Sequence, residues 1–245
     1  MSRKGNILKE IVHRPWELPS GEWRYYQEWN DALFLHWRIP AEILQKLLPE
    51  GLELDLFEGE AWVSVVAFTM EKIRPRFLPA LSLISDFHEI NVRTYVKHKE
   101  KSGVYFISME GQKLLSVLVS KALSGLPYQR ANISRKLHNG LSSYSSVNNR
   151  KQFRLEAEYD VLPDEYQPTA LDKWLVERYC LFVDIGNELF CYEIHHLPWK
   201  IAKVKLEYLK LDYKIGDLAI GKAAPELTHF SEGVEVLAWE KVKLD

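Results

Sequence analysis

Polar side chains alternate along residues 87–96, FHEINVRTYV, in a segment otherwise rich in residues that favour β-strands. In an extended strand Glu89, Asn91, Arg93 and Tyr95 lie on one face, because successive side chains point to opposite sides. A carboxylate transfers protons and a guanidinium binds anionic oxygens, so this face predicts the polar wall of a cavity. The alternative interpretation, a solvated strand face, is the commoner origin of such a pattern.

Two features favour the cavity. The opposite face of the strand is not purely apolar, since it carries His88 and Thr94, and candidate strands flank the segment on both sides. Charged groups that point inward must be paired, because an unpaired buried charge is costly. Glu89 and Arg93 are about 13 Å apart by strand rise, too far for a direct ion pair. We therefore predict that a ligand lies between them.

His36 and Arg38 form a second candidate on the strand pattern LFLHWR. They share a face opposite Leu35 and Trp37, which predicts a contribution to substrate binding. A wet strand edge explains the same pattern equally well.

Metal and cofactor chemistry has little support. His195 and His196 are adjacent and point to opposite sides of a strand, so one metal ion cannot take both, and the alternative for His196 is packing near Trp199. The chain has no H-x-x-x-H or C-x-x-C pattern and no phosphate-binding glycine loop, so we expect no metal and no cofactor. Residues 111–155 contain no acid, which predicts either an anion-binding surface or a solvated hairpin.

The elements that would position these residues are mainly strands. Strand patterns recur at short spacing, and helices are predicted over 40–51, 112–125 and 169–179, the last with Thr169 as its N-terminal cap. The serine-rich residues 137–149 have the composition of a turn. The pattern predicts a single α+β domain with a large, mostly antiparallel sheet, curled or closed into a cone or barrel, and a few short helices. We place an N-terminal arm at residues 1–24 and the domain at 25–245.

Composition excludes several classes of function. The net charge of −2 gives no global attraction to nucleic acid or to an anionic membrane, and no apolar stretch approaches the ~20 residues of a membrane span. Two cysteines, Cys180 and Cys191, are too few for a disulfide framework and predict reduced thiols. We expect a soluble, cytoplasmic protein with a small, anionic ligand; the sequence leaves a homo-oligomer open.

Several motifs in a fixed order resemble one bacterial family. They are LFLHWRIPAEILQKLLPEG, FHEINVRTYV, GLPYQRA, WLVERYCLF and EIHHLPWK, and the likeness runs from about residue 25 to 240. The chain resembles the YqjF-like domain, a family of uncharacterised proteins that looks like a relative of acetoacetate decarboxylase. The resemblance implies a cone or barrel of strands around a polar cavity.

The resemblance also bears on the chemistry. Acetoacetate decarboxylase-like enzymes form a Schiff base through a lysine that follows a Gly-aromatic-Pro turn. The comparable turn here reads Gly125-Leu126-Pro127, and Tyr128 and Gln129 stand where the lysine pair would be. Schiff-base decarboxylation is therefore not expected, whereas Glu89 matches the glutamate of the family's cavity strand.

Three functions remain open from the sequence. The first is an enzyme on a small oxo- or hydroxy-acid, with lyase- or isomerase-like acid/base chemistry by Glu89 and Tyr128 and substrate binding by Arg93, Asn91, His36 and Arg38. The second is a non-catalytic small-molecule binding module on the same fold. The third is an interaction protein that uses Trp16, Trp23 and Trp29 on its surface.

Overall fold

The computed structural model describes residues 7–81, 85–113, 125–138, 140–163 and 165–244. Most of the predicted helix at 112–125 lies outside the described residues. No described helix has the length and apolar character needed to cross a membrane.

The described secondary structure is mostly β. Two short helices are α1 (Ala41–Gln45) and α2 (Ala170–Val176). The strands are β1 (Tyr25–Arg38), β2 (Glu53–Leu54), β3 (Trp62–Pro75), β4 (Phe87–His98), β5 (Lys101–Gly111), β6 (Tyr128–Arg130), β7 (Asn132–His138), β8 (Leu141–Asn148), β9 (Phe153–Val161), β10 (Cys180–Ile185), β11 (Glu188–His195), β12 (Ala202–Ile215), β13 (Leu218–Ile220), β14 (Leu227–Ala238) and β15 (Val242–Lys243).

Seven of these strands close into a ring. The order β11-β10-β5-β4-β3-β1-β14 is continuous, and β14 returns to β11 through the pairs Ile194↔Ala238 and His195↔Leu237. The sheet then continues from β14 through β12, β9 and β8 to β7. Neighbouring strands are antiparallel except for the β5–β10 and β5–β6 pairs. The prediction of a large, mostly antiparallel, curled or closed sheet is confirmed.

The two faces of the ring strands belong to two separate cores. Leu35 of β1 and Val92 of β4 pack outward against the layer formed by β7, β8, β9 and β12. Phe34 of β1 and Phe106 of β5 pack on the other face, inside the ring. Helix α2 adds Leu175 to this inner cluster. The alternation read from the sequence of β1 and β4 therefore decides which side chains face the interior.

Two predictions of local structure are corrected. The serine-rich segment is a strand rather than a turn, because it pairs with β7 on one side and β9 on the other, and Ser142, Tyr144 and Ser146 alternate as its buried positions. Cys180 and Cys191 are joined in a disulfide, since the β10–β11 register brings their Cα atoms to 6.4 Å, within the usual range for a disulfide.

Candidate functional site

The interior of the ring contains a cavity of about 80 Å³. Strand β4 supplies Glu89, Asn91 and Arg93 to its wall, and β6 supplies Tyr128. Most of the remaining wall is apolar: Trp29, Ala32, Phe34, Val66, Phe68, Met70, Val104, Phe106, Met109, Leu126, Val176, Leu181, Ile194 and Trp199. A few polar groups in an otherwise apolar hollow are typical of small-molecule sites.

Strand pairing explains how Tyr128 reaches Glu89. Asn91 of β4 pairs with Met109 of β5, and Met109 pairs in turn with Tyr128 of β6. Tyr128 therefore lies on the same side of the sheet as Glu89. Its hydroxyl donates to Glu89 Oε2 at 2.6 Å, while Asn91 Nδ2 donates to Oε1 at 3.5 Å. Glu89 is only 1 % exposed, and each of its carboxylate oxygens accepts a hydrogen bond.

Burial changes the acidity of this pair. It raises the pKa of Glu89 to about 7, although the hydrogen bonds from Tyr128 and Asn91 act in the opposite direction. Burial and the nearby Glu89 carboxylate hold the pKa of Tyr128 well above its usual value. Glu89 therefore takes up and releases a proton near neutral pH, and Tyr128 stays a hydrogen-bond donor. A group poised in this way suits general acid or base catalysis.

Arg93 is a buried cation whose charge no described carboxylate neutralises. Its Nη2 donates to the carbonyl of Leu175 at 3.1 Å, at the end of α2, and its guanidinium lies over the rings of Phe34 and Tyr95. None of the ion pairs among the described residues includes it. Because an uncompensated buried charge is costly, the site favours an anion beside this group.

A second guanidinium, Arg178, lines the same cavity and was not predicted from the sequence. It follows α2, and its Nη1 donates to Asp55 Oδ2 at 2.6 Å. Its side chain stacks on Trp174 and lies over the ring of Tyr95, which Arg93 also contacts. The sequence signal for Arg178 was weak, since one arginine after a short helix has no periodic pattern.

The cavity wall also contains buried polar atoms that lack a hydrogen-bond partner among the described residues. Three are donors, namely Trp29 Nε1, Arg93 Nε and Arg178 Nη2, and one is the acceptor Asn91 Oδ1. Native proteins rarely leave buried polar atoms unsatisfied, so each needs an explanation. A ligand rich in acceptor oxygens would satisfy this set.

Two predicted binding residues do not line the cavity. Arg38 is exposed at the end of β1, where it pairs with Glu226 at 2.6 Å and packs over Trp62. Arg38 therefore does not line the cavity, and its role in substrate binding stays a prediction.

His36 is fully buried behind the cavity wall. Its Nδ1 lies 2.6 Å from Ser64 Oγ, and its Nε2 lies 3.1 Å from His229 Nδ1. His229 Nε2 in turn lies 2.9 Å from Asp172 Oδ1 in α2. Burial, then His229 and Arg93, hold the pKa of His36 well below its usual value, so it is neutral. His36 supports the wall and does not reach the cavity.

The two adjacent histidines lie in different surroundings. His196 lines the cavity and packs against Trp199, while His195 points away and contacts Arg14 of the segment preceding β1. The described residues contain no group of three or more side chains arranged to hold a metal ion. Within the described part of the chain, no lysine lines the cavity.

Comparison with known proteins gives a family and a fold. The model of the family DUF2071, described as "Uncharacterized conserved protein (COG2071)", matches residues 26–235. "Uncharacterized protein YqjF" of Bacillus subtilis (strain 168) is 36 % identical over 228 residues, covering 91 % of this chain and 93 % of that protein.

Solved structures with the same fold are more distant in sequence. The enduracididine biosynthesis enzyme MppR complexed with pyruvate has a TM-score of 0.61 at 14 % identity, covering 95 % of this chain and 93 % of that chain. Acetoacetate decarboxylase from Legionella pneumophila subsp. pneumophila str. Philadelphia 1 has a TM-score of 0.62 at 15 % identity, covering 96 % and 95 %. The acetoacetate decarboxylase-like fold predicted from the sequence is confirmed.

Proposed function

The chain belongs to the DUF2071 family of uncharacterised proteins, and from its cavity we propose that it is an acid/base enzyme acting on a small oxo- or hydroxy-acid. The observation that carries the proposal is the buried Glu89–Tyr128 pair in the same cavity as the unneutralised Arg93. The relative that binds pyruvate shares the fold and supports this class of ligand.

The arginines bind and orient the substrate. Arg93 and Arg178 each present an unpaired N–H to the cavity, and a carboxylate has enough lone pairs to accept both. Asn91 Oδ1 is free to accept from a hydroxyl group of the same ligand. Fixing the carboxylate in this way holds the neighbouring carbon atoms in one orientation, which is a large part of catalysis by proximity.

Glu89 performs the proton transfer. In its ionised form it removes a proton from a carbon next to the carbonyl; the C–H electron pair moves into the enolate, and the proton binds to Glu89. The new O–H of Glu89 then donates to Tyr128 Oη, which frees the Tyr128 hydroxyl to donate to the enolate oxygen. Return of the proton to another carbon gives an isomerase, and departure of a β-substituent gives a lyase.

The experiment is solvent deuterium exchange followed by proton NMR. Pyruvate and 4-methyl-2-oxopentanoate are incubated in heavy water with the wild type, with Glu89→Gln and with Glu110→Gln, a matched control. Glu110 is equally buried and is held by Tyr213 and Asn148, but it does not line the cavity. We expect exchange with the wild type and the control and at least a 100-fold loss with Glu89→Gln, the usual scale for a general base. Full exchange by Glu89→Gln refutes the role of Glu89.

The same incubation distinguishes this proposal from Schiff-base catalysis and from binding without catalysis. Borohydride added with pyruvate is expected to leave the protein unmodified, and a lysine adduct in the mass spectrum would overturn the proposal of catalysis without a Schiff base. A 2-oxo acid that stabilises the protein but is recovered without deuterium identifies the second candidate, a binding module.

A further inference from the structure

The arginine end of the cavity carries a net charge of one. Arg93 and Arg178 contribute two positive charges, and Asp55 contributes one negative charge through its contact with Arg178. Among the described ion pairs, Asp55 is the acid that Arg178 contacts; it binds Nη1, and Nη2 has no hydrogen-bond partner among the described residues. One positive charge is left for a ligand.

We infer that Asp55 fixes the charge of the ligand at one, so that the cavity accepts an acid with a single carboxylate and an apolar body and rejects a dicarboxylate of the same size. The inference rests on the proposed function, because it names the substrate class of the same site. Asp55 does not line the cavity and acts through Arg178, as a specificity-determining positioning residue.

The cost of burial explains the selectivity. A first carboxylate replaces water around Arg93 with a matched ion pair, whereas a second carboxylate has no remaining cation and stays buried and unpaired. Among the lining residues, Glu89 only adds negative charge when it ionises, and His196, whose pKa burial lowers to about 4, supplies no cation near neutral pH. No described lysine lines the cavity.

The rest of the wall fits an apolar body. Glu89 and Arg93 lie four residues apart on β4, with their Cα atoms about 13 Å apart by strand rise, so their long side chains reach toward each other to contact one substrate. The wall beside β4 is built from Phe34, Phe68 and Phe106. Carbon atoms placed there lose water-exposed surface, whereas a second charged group would lose its hydration.

The test is isothermal titration calorimetry at pH 6 with two probes of similar size. The monocarboxylate 4-methyl-2-oxopentanoate and the dicarboxylate 2-oxoglutarate both carry a 2-oxo acid group and differ at the far end. For the wild type we expect at least tenfold tighter binding of the monocarboxylate. In Asp55→Asn the amide oxygen still accepts from Arg178, but the charge at the site rises by one, and we expect this preference to fall at least tenfold.

Two further variants make the result specific to charge. The double variant Asp55→Asn with Arg178→Gln removes one charge of each sign, and we expect it to regain the preference for the monocarboxylate. This preference can be measured even if the single variant Asp55→Asn fails to fold. The matched control Asp217→Asn deletes the acid of an exposed ion pair with Lys46, and its preference is expected to equal that of the wild type.

The outcomes separate this inference from the proposed function. Equal affinity of the wild type for both acids, or an unchanged preference in Asp55→Asn, overturns the inference and leaves the proposed function standing. Failure of the wild type to bind either acid overturns both. The expected pattern, with exchange chemistry absent, supports the inference for a binding module and refutes the enzyme.

Discussion

Replacing Glu89 with glutamine should stabilise the protein, and the gain should grow with pH. Burial raises the pKa of Glu89 to about 7 in the folded protein, from a value of 4.5 for a solvated glutamate. Between these two values the folded state holds a proton that the unfolded state has released. Stability therefore falls as pH rises through this window, because the unfolded state binds fewer protons.

The magnitude follows from the size of the shift. A pKa difference of about 2.5 units corresponds to roughly 3 kcal/mol at about 1.4 kcal/mol per unit. This free energy is lost gradually between about pH 4.5 and 7 and is fully lost above pH 7. Glutamine keeps an oxygen that accepts from Tyr128, and the amide of Asn91 can turn to present its unpaired Oδ1 to the new NH₂ group.

The assay is urea unfolding at pH 5, 6, 7 and 8, with tryptophan fluorescence as the signal. We expect Glu89→Gln to exceed the wild type by about 1 kcal/mol at pH 5 and by about 3 kcal/mol at pH 8. The control Glu158→Gln removes an exposed carboxylate on β9 and is expected to show no such trend. A constant difference between Glu89→Gln and the wild type over this range would refute the reasoning.

Three further changes test the packing around the site. Thr169→Ala removes the hydroxyl that caps α2 and should lower the free energy of unfolding by about 1 kcal/mol, measured with urea, while Thr169→Ser should retain it. Gly103→Ala should cost roughly 1–3 kcal/mol, because the added Cβ meets the carbonyl of Cys180; an unchanged urea midpoint would contradict this close contact between β5 and β10. Trp29→Phe removes the unpaired indole N–H and should weaken the binding of 4-methyl-2-oxopentanoate about tenfold in calorimetry, because one hydrogen bond to a charged group is lost. Equal affinity of this variant and the wild type would show that the ligand does not reach the indole N–H.

The sequence predicted the strand that carries the site because the alternation of side chains is a local property. Glu89, Asn91 and Arg93 fall on the inner face of β4, and the capping box of Thr169 with Asp172 begins α2 as expected. Both patterns depend on the backbone of a few consecutive residues.

The features that the sequence did not predict depend on distant parts of the chain. A curled or closed sheet was predicted, but the strands that close it, β14 and β11, were not, and neither was the contact of Asp55 with Arg178 across a separation of 123 residues. Arg38 shares the face of His36 by alternation, but its side chain is exposed and pairs with Glu226, 188 residues away in the sequence. The serines of β8 lie in a strand because β7 and β9 pair with it on both sides, although their composition is that of a turn.

His36 shows why a reactive residue type in a favourable pattern was not enough to place it in the cavity. Burial raises the pKa of Asp172, but hydrogen bonds from Tyr166 and Thr169 outweigh it and keep this carboxylate ionised. His229 must then donate through Nε2, which leaves its Nδ1 to accept from His36 Nε2.

The hydrogen bonds continue from His36 to the cavity wall. A neutral His36 that donates through Nε2 accepts through Nδ1, so Ser64 donates to it. The one hydroxyl proton of Tyr95 is then shared between two acceptors, Ser64 Oγ at 2.5 Å and the Leu175 carbonyl at 2.9 Å, which Arg93 also binds. The hydrogen bonds thus leave α2 at Asp172, cross four neighbouring strands and return to α2 at Leu175. Because Arg93 depends on that carbonyl, the neutral histidines contribute to the site by holding α2 and its acceptor in place.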